Sequence, residues 1–237
     1  MNHSIHFVLQ GKGGIGKSFC ATMLAQYLDE RFPGSVQCLD TDQENTTFSH
    51  YKALSVQHVN VMNSDRTINR KRFDSMMETL FATSDNIVVD NGANTFSPLM
   101  AYLVENEVIP ILQDAGKTPY VHTIVGGGDV LHDTSSGFIS VARALACPLI
   151  VWLNEHFGST ASFQESEAFL AHSQRVRGIV LLKARNSDTF GDDIKRMNTA
   201  RVTVKEVMED PSFTVMEKQR IKMVSRDIFA ELDQVEW

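Results

Sequence analysis

Residues 11–18 read G-K-G-G-I-G-K-S, which satisfies the spacing G-x-x-x-x-G-K-[ST] with Gly11, Gly16, Lys17 and Ser18 at the fixed places. A loop of this kind holds a polyphosphate. Its glycines let successive main-chain N–H groups turn toward phosphate oxygens, and a helix that follows adds unbonded donors and the positive end of its dipole. At this spacing Lys17 meets the β- and γ-phosphates and the Ser18 hydroxyl ligates Mg²⁺. The main chain of Gly13, Gly14, Ile15 and Phe19 joins the same cradle. Carboxylates further along could complete the site. Val36-Gln37-Cys38-Leu39 runs into Asp40-Thr41-Asp42, and Asn86-Ile87-Val88-Val89 runs into Asp90. Mg²⁺ takes one or two carboxylates and keeps much of its water, so Asp90 suits it as a ligand acting through a water. Asn154 closes another apolar run, Ile150-Val151-Trp152-Leu153.

These groups need a scaffold that brings strand ends together. Ile5-His6-Phe7-Val8-Leu9 precedes the loop as a short apolar run, and Phe19, Met23, Leu24, Tyr27 and Leu28 follow it at helical spacing. The chain continues in the same alternation. Strands are expected at Ile5–Leu9, Val36–Leu39, His58–Val61, Asn86–Val89, Val108–Leu112, Leu149–Leu153 and Gly178–Leu182. Helices are expected at about 17–31, 70–82, 97–104, 118–132, 134–146, 163–173 and 189–199. Val- and Ile-rich strands alternating with helices predict an α/β fold, an open, mostly parallel twisted sheet with helices on both faces. In such sheets ligands lie beyond the carboxyl ends of the strands, so the acids are expected to face the glycine loop. A final amphipathic helix is expected at about 213–235, packed on the body. No composition break or proline-rich linker interrupts the chain, which reads as a single domain over 1–237. Gly126-Gly127-Gly128 has no lysine or serine at the offset a phosphate loop needs, and reads as a turn or a kinked helix end.

The 237 residues are 43% hydrophobic, ample for a core, and the net charge of −7 argues against nucleic-acid binding through overall charge. Two local basic stretches remain, Arg66 with Arg70, Lys71 and Arg72, and Lys218 with Arg220, Lys222 and Arg226. Cys20, Cys38 and Cys147 are far apart in apolar surroundings, as expected of reduced core thiols in a cytosol. The N-terminus has no basic region followed by a long apolar stretch, and no run reaches the ~20 residues needed to span a bilayer. A cytoplasmic protein without a membrane anchor is the expectation. The eight histidines show no ligand spacing, which leaves Mg²⁺ as the expected metal.

Lys12, directly after the first glycine, makes the loop more specific. The run from Lys12 to Ser18 resembles the deviant Walker A motif, KGGxGK[ST], of the ParA/MinD family. The resemblance implies an ATPase in which Lys12 reaches across an ATP-bound homodimer to the other subunit's phosphates. A cation supplied this way can raise phosphoryl-transfer rates by about 10³–10⁵. Asp40-Thr41-Asp42 is similar to the family's first switch region. By position, Asp42 would orient the attacking water and Asp40 would hold the Mg²⁺ shell, although the proline usual after the second aspartate is missing here. Asn91-Gly92-Ala93-Asn94 stands where the family has D-x-P, and Gly92 would offer an N–H to the γ-phosphate. Asn154 resembles the family's adenine-binding asparagine; a structural turn asparagine is the competing reading.

His6 to Ser18, Ala25-Gln26-Tyr27, Leu39 to Asp42, Val89 to Ala93 and Thr189-Phe190-Gly191-Asp192 resemble the TraL/StbB-type ATPases of conjugative plasmids more closely. That resemblance implies a role in plasmid transfer or stability, alongside a plasmid-encoded DNA-binding or relaxosome protein. Three functions follow: a switch that dimerises on ATP and hydrolyses it slowly, an ATP-gated scaffold with negligible turnover, and an ATP-dependent metabolic ligase on the same fold. The nitrogenase iron-protein branch would need paired cluster cysteines, and Cys20 and Cys38 lie in core segments. The C-terminal tail, Asp227 to Trp237, has an acidic polar face, which anionic lipid repels.

Overall fold

The computed structural model describes residues 3–237. Seven strands form one sheet in the order β3-β2-β4-β1-β5-β6-β7. They are β1 Ser4–Val8, β2 Val36–Asp40, β3 Gln57–His58, β4 Asn86–Asp90, β5 Thr118–Gly126, β6 Leu149–Asn154 and β7 Val176–Leu182. Every ladder in it is parallel. Ten helices follow or connect them: α1 Lys17–Arg31, α2 Phe73–Ala82, α3 Ala93–Glu105, α4 Val108–Asp114, α5 Leu131–Ala144, α6 Ala161–Gln164, α7 Glu167–Leu170, α8 Asp192–Ala200, α9 Val204–Glu209 and α10 Val215–Leu232. The expected open parallel α/β sheet is the observed one.

Alternate residues of each strand go to opposite faces, as the period of two requires. On one face Ile5, Phe7, Ile87, Val89, Val121 and Val151 build a core with α2 to α5. On the other Val8, Val88, Tyr120, Ile124 and Trp152 pack beneath α1 and α10. The chain leaves β1 toward β2 on one side and β4 toward β5 on the other, so the order reverses between β1 and β4. A crevice opens at such a reversal. The ends of β1, β2 and β4 all reach it, with Val8 level with Asp90 and Asp90 level with Asp40.

Two expected elements exchange character. Residues 108–112, expected as a strand, form α4, and residues 118–126, expected as helix, form the interior strand β5. Pro110 falls in the first turn of α4, where an N–H has no intrahelical partner to lose. In β5, Val121, Ile124 and Val125 imitate helical spacing, because a strand buried on both faces loses its period of two and His122 and Thr123 interrupt the apolar run. Pro119 is tolerated since it lies opposite Ile5 of β1, before the β6 ladder begins at Val121. β3 is shorter than expected, the 163–173 helix divides into α6 and α7, and α9 was not expected. Gly126 ends β5 and Gly128 opens a single 3-10 turn that leads into α5, and a Cβ on Gly127 or Gly128 would strike the main chain of the Phe157–Ser159 loop.

Candidate functional site

The loop between β1 and α1 is shaped by its surroundings as much as by its glycines. Gly14 and Gly16 take φ values of 71° and 100°, a region that side-chain-bearing residues avoid. A Cβ on Gly11 would stand 3.0 Å from the Phe96 ring, so that glycine lets the loop lie against α3. Gln10 is fully buried and anchors the loop's start. Its Oε1 accepts from the Gly11 N–H at 2.9 Å, while its Nε2 donates to the Ile124 carbonyl at 2.7 Å. Gly137 on α5 leaves the room that the Gln10 amide fills. The first backbone bond of the helix runs from Cys20 N–H to the Gly16 carbonyl. The N–H groups of Lys17, Ser18 and Phe19 are therefore free of intrahelical partners and point out of the helix start, where an anion binds.

Lys17 is 8% exposed, and its Nζ donates to the Lys12 carbonyl at 2.9 Å. Burial lowers its pKa, while Asp90 and Asp42 hold it up. Lys12 points elsewhere: its Nζ pairs with Asp133 at 2.8 Å, at a half-exposed rim. Asp90 is buried at the end of β4, and its Oδ1 has no hydrogen-bond partner. Burial, with help from Asp40 and Asp42, pushes its pKa up to about 7, against the opposing pull of the Ser18 hydroxyl and Lys17. Asn94 Oδ1 is likewise buried without a partner. An orphaned carboxylate oxygen beside a serine hydroxyl fits a hard cation that prefers oxygen ligands.

The two switch-like acids divide their work. Asp40 is fully buried, and both its oxygens serve the chain: Oδ1 accepts from Asp42 N–H at 2.9 Å, and Oδ2 accepts from Ser49 N–H and Oγ at 2.9 and 2.8 Å. It thus braces the segment after β2, and any contact with a metal shell would have to compete with those bonds. Asp42 Oδ1 accepts from the Glu44 and Asn45 N–H groups at 2.9 and 3.0 Å, and its side chain lies directly over Gly92. A Cβ there would sit 2.6 Å from Asp42 Cγ, so Gly92 permits the approach of the two segments. Asn91 holds Gly92 in place through bonds with Thr41 and Thr95.

Gly13, Lys17, Ser18, Asp42 and Asn94 line one cavity of about 450 Å³. Beside it opens a larger cleft of about 770 Å³ lined by Ile15, Asn154, Phe157, Phe190 and Ile194. The first carries Lys17 and Arg201 together with Asp42 and Glu44; the second has the size and apolar walls of a small-ligand pocket. Asn154 lines the second with its amide engaged, Nδ2 donating to the Ile15 carbonyl at 3.0 Å and Oδ1 accepting from His156 N–H at 3.1 Å. It ties the phosphate loop to β6. Gln10, Gly137, Phe96 and Arg201, which lines both cavities, escaped the sequence reading, since no motif marks them.

Half of the residues in the two basic stretches are engaged. Arg220 pairs with Asp193, Arg226 with Asp227 at 3.0 Å, Arg70 with Glu105 at 2.6 Å, and Lys218 Nζ donates to the Met208 carbonyl. Cys20, Cys38 and Cys147 are free and buried, as expected. No described helix is long and apolar enough to cross a membrane.

No protein-family model matches the chain. Among solved structures, a plasmid partition protein of Borrelia burgdorferi bound to AMPPNP superposes with a TM-score of 0.56 at 14% identity, covering 98% of each chain. A ParA family ATPase of Chlorobium tepidum gives a TM-score of 0.52 at 11% identity, covering 94% of this chain and 98% of its own. At such identities these establish a shared fold. Sequence goes further. Two TraL proteins of Escherichia coli are 41% and 40% identical over 235 residues, spanning 97% of this chain and 97% of each relative. With the ParA-type sheet, the glycine loop with its two lysines and this identity along nearly its whole length, the chain belongs to the TraL family.

Proposed function

We propose that the chain is a nucleotide-switch ATPase acting in plasmid conjugative transfer or in plasmid stability and partition. In this reading Mg²⁺-ATP drives homodimerisation, and slow hydrolysis to ADP reverses it. The observation that carries the proposal is the junction of β1 and α1: free main-chain donors, a buried lysine and a serine hydroxyl facing an orphaned carboxylate oxygen. Lys17 and the N–H groups of residues 13–19 take the phosphates. Ser18 and Asp90 hold Mg²⁺, which offsets charge on the β- and γ-phosphates. Asp42 orients the attacking water over Gly92. The apolar cleft beside Ile15 and Phe157 takes the base, with Asn154 fixing its inner wall. Residues 1–237 act as one domain, and the partner is a plasmid-encoded DNA-binding or relaxosome protein.

Lys12 completes the charge clamp from the other subunit. Its pair with Asp133 is solvent-exposed, with side chains 39% and 54% accessible. Exposed pairs of this kind contribute only about 0–1 kcal/mol, so a neighbouring triphosphate readily displaces the aspartate. The test is light scattering of the purified chain with Mg²⁺ and ATP. The wild type should double its mass, and Lys12→Ala should remain monomeric while still binding nucleotide. A Lys12→Ala protein that dimerised with ATP like the wild type would remove the in-trans role. Phosphate release with and without plasmid DNA and partner separates the switch from an ATP-gated scaffold, which would stay flat.

A further inference from the structure

We infer that Arg201, far from the glycine loop in sequence, is a ligand for the phosphate chain at its α-phosphate end. The inference rests on the nucleotide reading of the site given above. Four observations converge on it. Of the cationic side chains lining the two cavities, Lys17 faces only the phosphate cavity, and Lys183, Arg185 and Lys195 face only the cleft. Arg201 lines both, in company with Gly14, Gly16, Phe19 and Asn198. That shared strip is where a nucleotide passes from base and ribose to its first phosphate.

The guanidinium also has no acid partner. Among the described residues it makes no ion pair, whereas Arg185 on the same rim is neutralised by Asp227. It is held in place rather than free: Nη1 donates to the Asn198 carbonyl at 2.6 Å. The Tyr51 hydroxyl, which donates to Asn198 Oδ1 at 3.2 Å, pins the same turn to the segment after β2. A planar fork held against the Asn198 carbonyl and the Tyr51 hydroxyl can still offer its remaining donors to phosphate oxygens.

The backbone adds an independent sign. Arg201 closes α8 with φ 56° and ψ 42°, the left-handed position that glycine ordinarily fills at a helix end. An arginine there holds strain that a glycine would relieve. Finally, the site's own cations fall short. Lys12 of the same chain is paired with Asp133, and Asp42 and Glu44 line the phosphate cavity beside Lys17, so before Mg²⁺ and the other subunit are counted Lys17 is the one other cation of this chain facing a strongly anionic ligand there. A second cation from the same chain redresses that.

The test compares wild type, Arg201→Gly and Arg201→Lys for binding of Mg²⁺-ATP and Mg²⁺-ADP by calorimetry, with the thermal midpoint of each free protein. Arg201→Gly removes the guanidinium and relaxes the backbone, so its midpoint should equal or exceed that of the wild type. Its affinity for ATP and for ADP should fall alike, by about 10–100-fold, the range of a lost charge-assisted contact. Arg201→Lys should recover part of it. Unchanged affinity in Arg201→Gly overturns the inference, and so does a loss confined to ATP, which would place the group at the γ-phosphate. A lowered midpoint with loss that lysine does not recover would assign Arg201 to folding and likewise overturn it. If the wild type bound neither nucleotide, the reading of the whole site would fall first, a result distinct from all of these.

Discussion

A chain of hydrogen bonds through the centre of the sheet makes the fold sensitive to acid in a way that can be calculated. Trp152 Nε1 donates to His122 Nδ1 at 3.0 Å, which leaves His122 Nε2 to donate to His6 Nδ1 at 2.9 Å. His6 Nε2 then donates to Ser4 Oγ at 2.8 Å, and Ser4 donates to Asn86 Oδ1 at 2.6 Å. Every donor finds an acceptor only while both imidazoles are neutral, and both are completely buried. Burial lowers the His6 pKa to about 3 and takes His122 well below its ordinary value, with His6 adding to the depression. In the unfolded chain both titrate near 6.5. Below that pH the unfolded state binds two protons that the folded state refuses, so stability falls as pH falls. The slope is about 1.4 kcal/mol per pH unit for each histidine. Between pH 7.5 and 4.5 His6 alone therefore removes about 3 kcal/mol, a large part of the stability of an ordinary domain, and His122 acts in the same direction. Urea unfolding at a series of pH values measures it, and comparison with His122→Phe separates it from carboxylate titration. The variant should be less stable at neutral pH, having left a buried indole N–H without its acceptor. Its stability should nevertheless fall less steeply with decreasing pH below pH 6. Parallel pH profiles for the two proteins would refute the buried neutral relay.

Other expectations concern the site. Asp90, with its pKa pushed up to about 7, should be about half protonated in the free chain at pH 7 and ionised once Mg²⁺-nucleotide is bound. Binding should therefore release protons at pH 6 and almost none at pH 8.5, read from calorimetric heats in buffers of different ionisation enthalpy; equal release at both pH values would contradict it. Gly92→Ala places a Cβ 2.6 Å from Asp42 Cγ and 2.8 Å from Asn94 Oδ1. Turnover should drop about 100-fold, the loss expected when a group that positions the attacking water is displaced, with a stability cost of about 1–3 kcal/mol. Phosphate-release and unfolding measurements check both. Asp133→Asn frees Lys12 from its exposed pair and should tighten the ATP-dependent dimer by up to about fivefold per subunit, measured by sedimentation.

How much of this was legible beforehand depended on how local the signal was. The glycine loop, Lys17, Ser18, Asp42 and Asp90 were readable because each is a short run at the end of an apolar strand, and the topology then gathers those ends in one crevice. The exchange of α4 and β5 shows the limit: a strand buried on both faces carries no alternation, and His122 and Thr123 disguise its middle. Gln10 and Gly137 act as a pair 127 positions apart, and Arg201 meets the loop only after the sheet has formed. Nothing at those positions differs locally from ordinary core or surface residues. Asp40 and Asn154 illustrate a second limit, since residue type predicted their location while hydrogen bonding to the backbone decides what their side chains have left to offer.

The proposed switch requires first that the junction of β1 and α1 bind a triphosphate. Isothermal calorimetry with Mg²⁺ and ATP should give one site per chain in the wild type and no measurable heat in Lys17→Ala, whose fold is verified by circular dichroism. Wild-type protein, correctly folded, that took up no purine nucleotide, or a Lys17→Ala protein that bound as tightly, would contradict it.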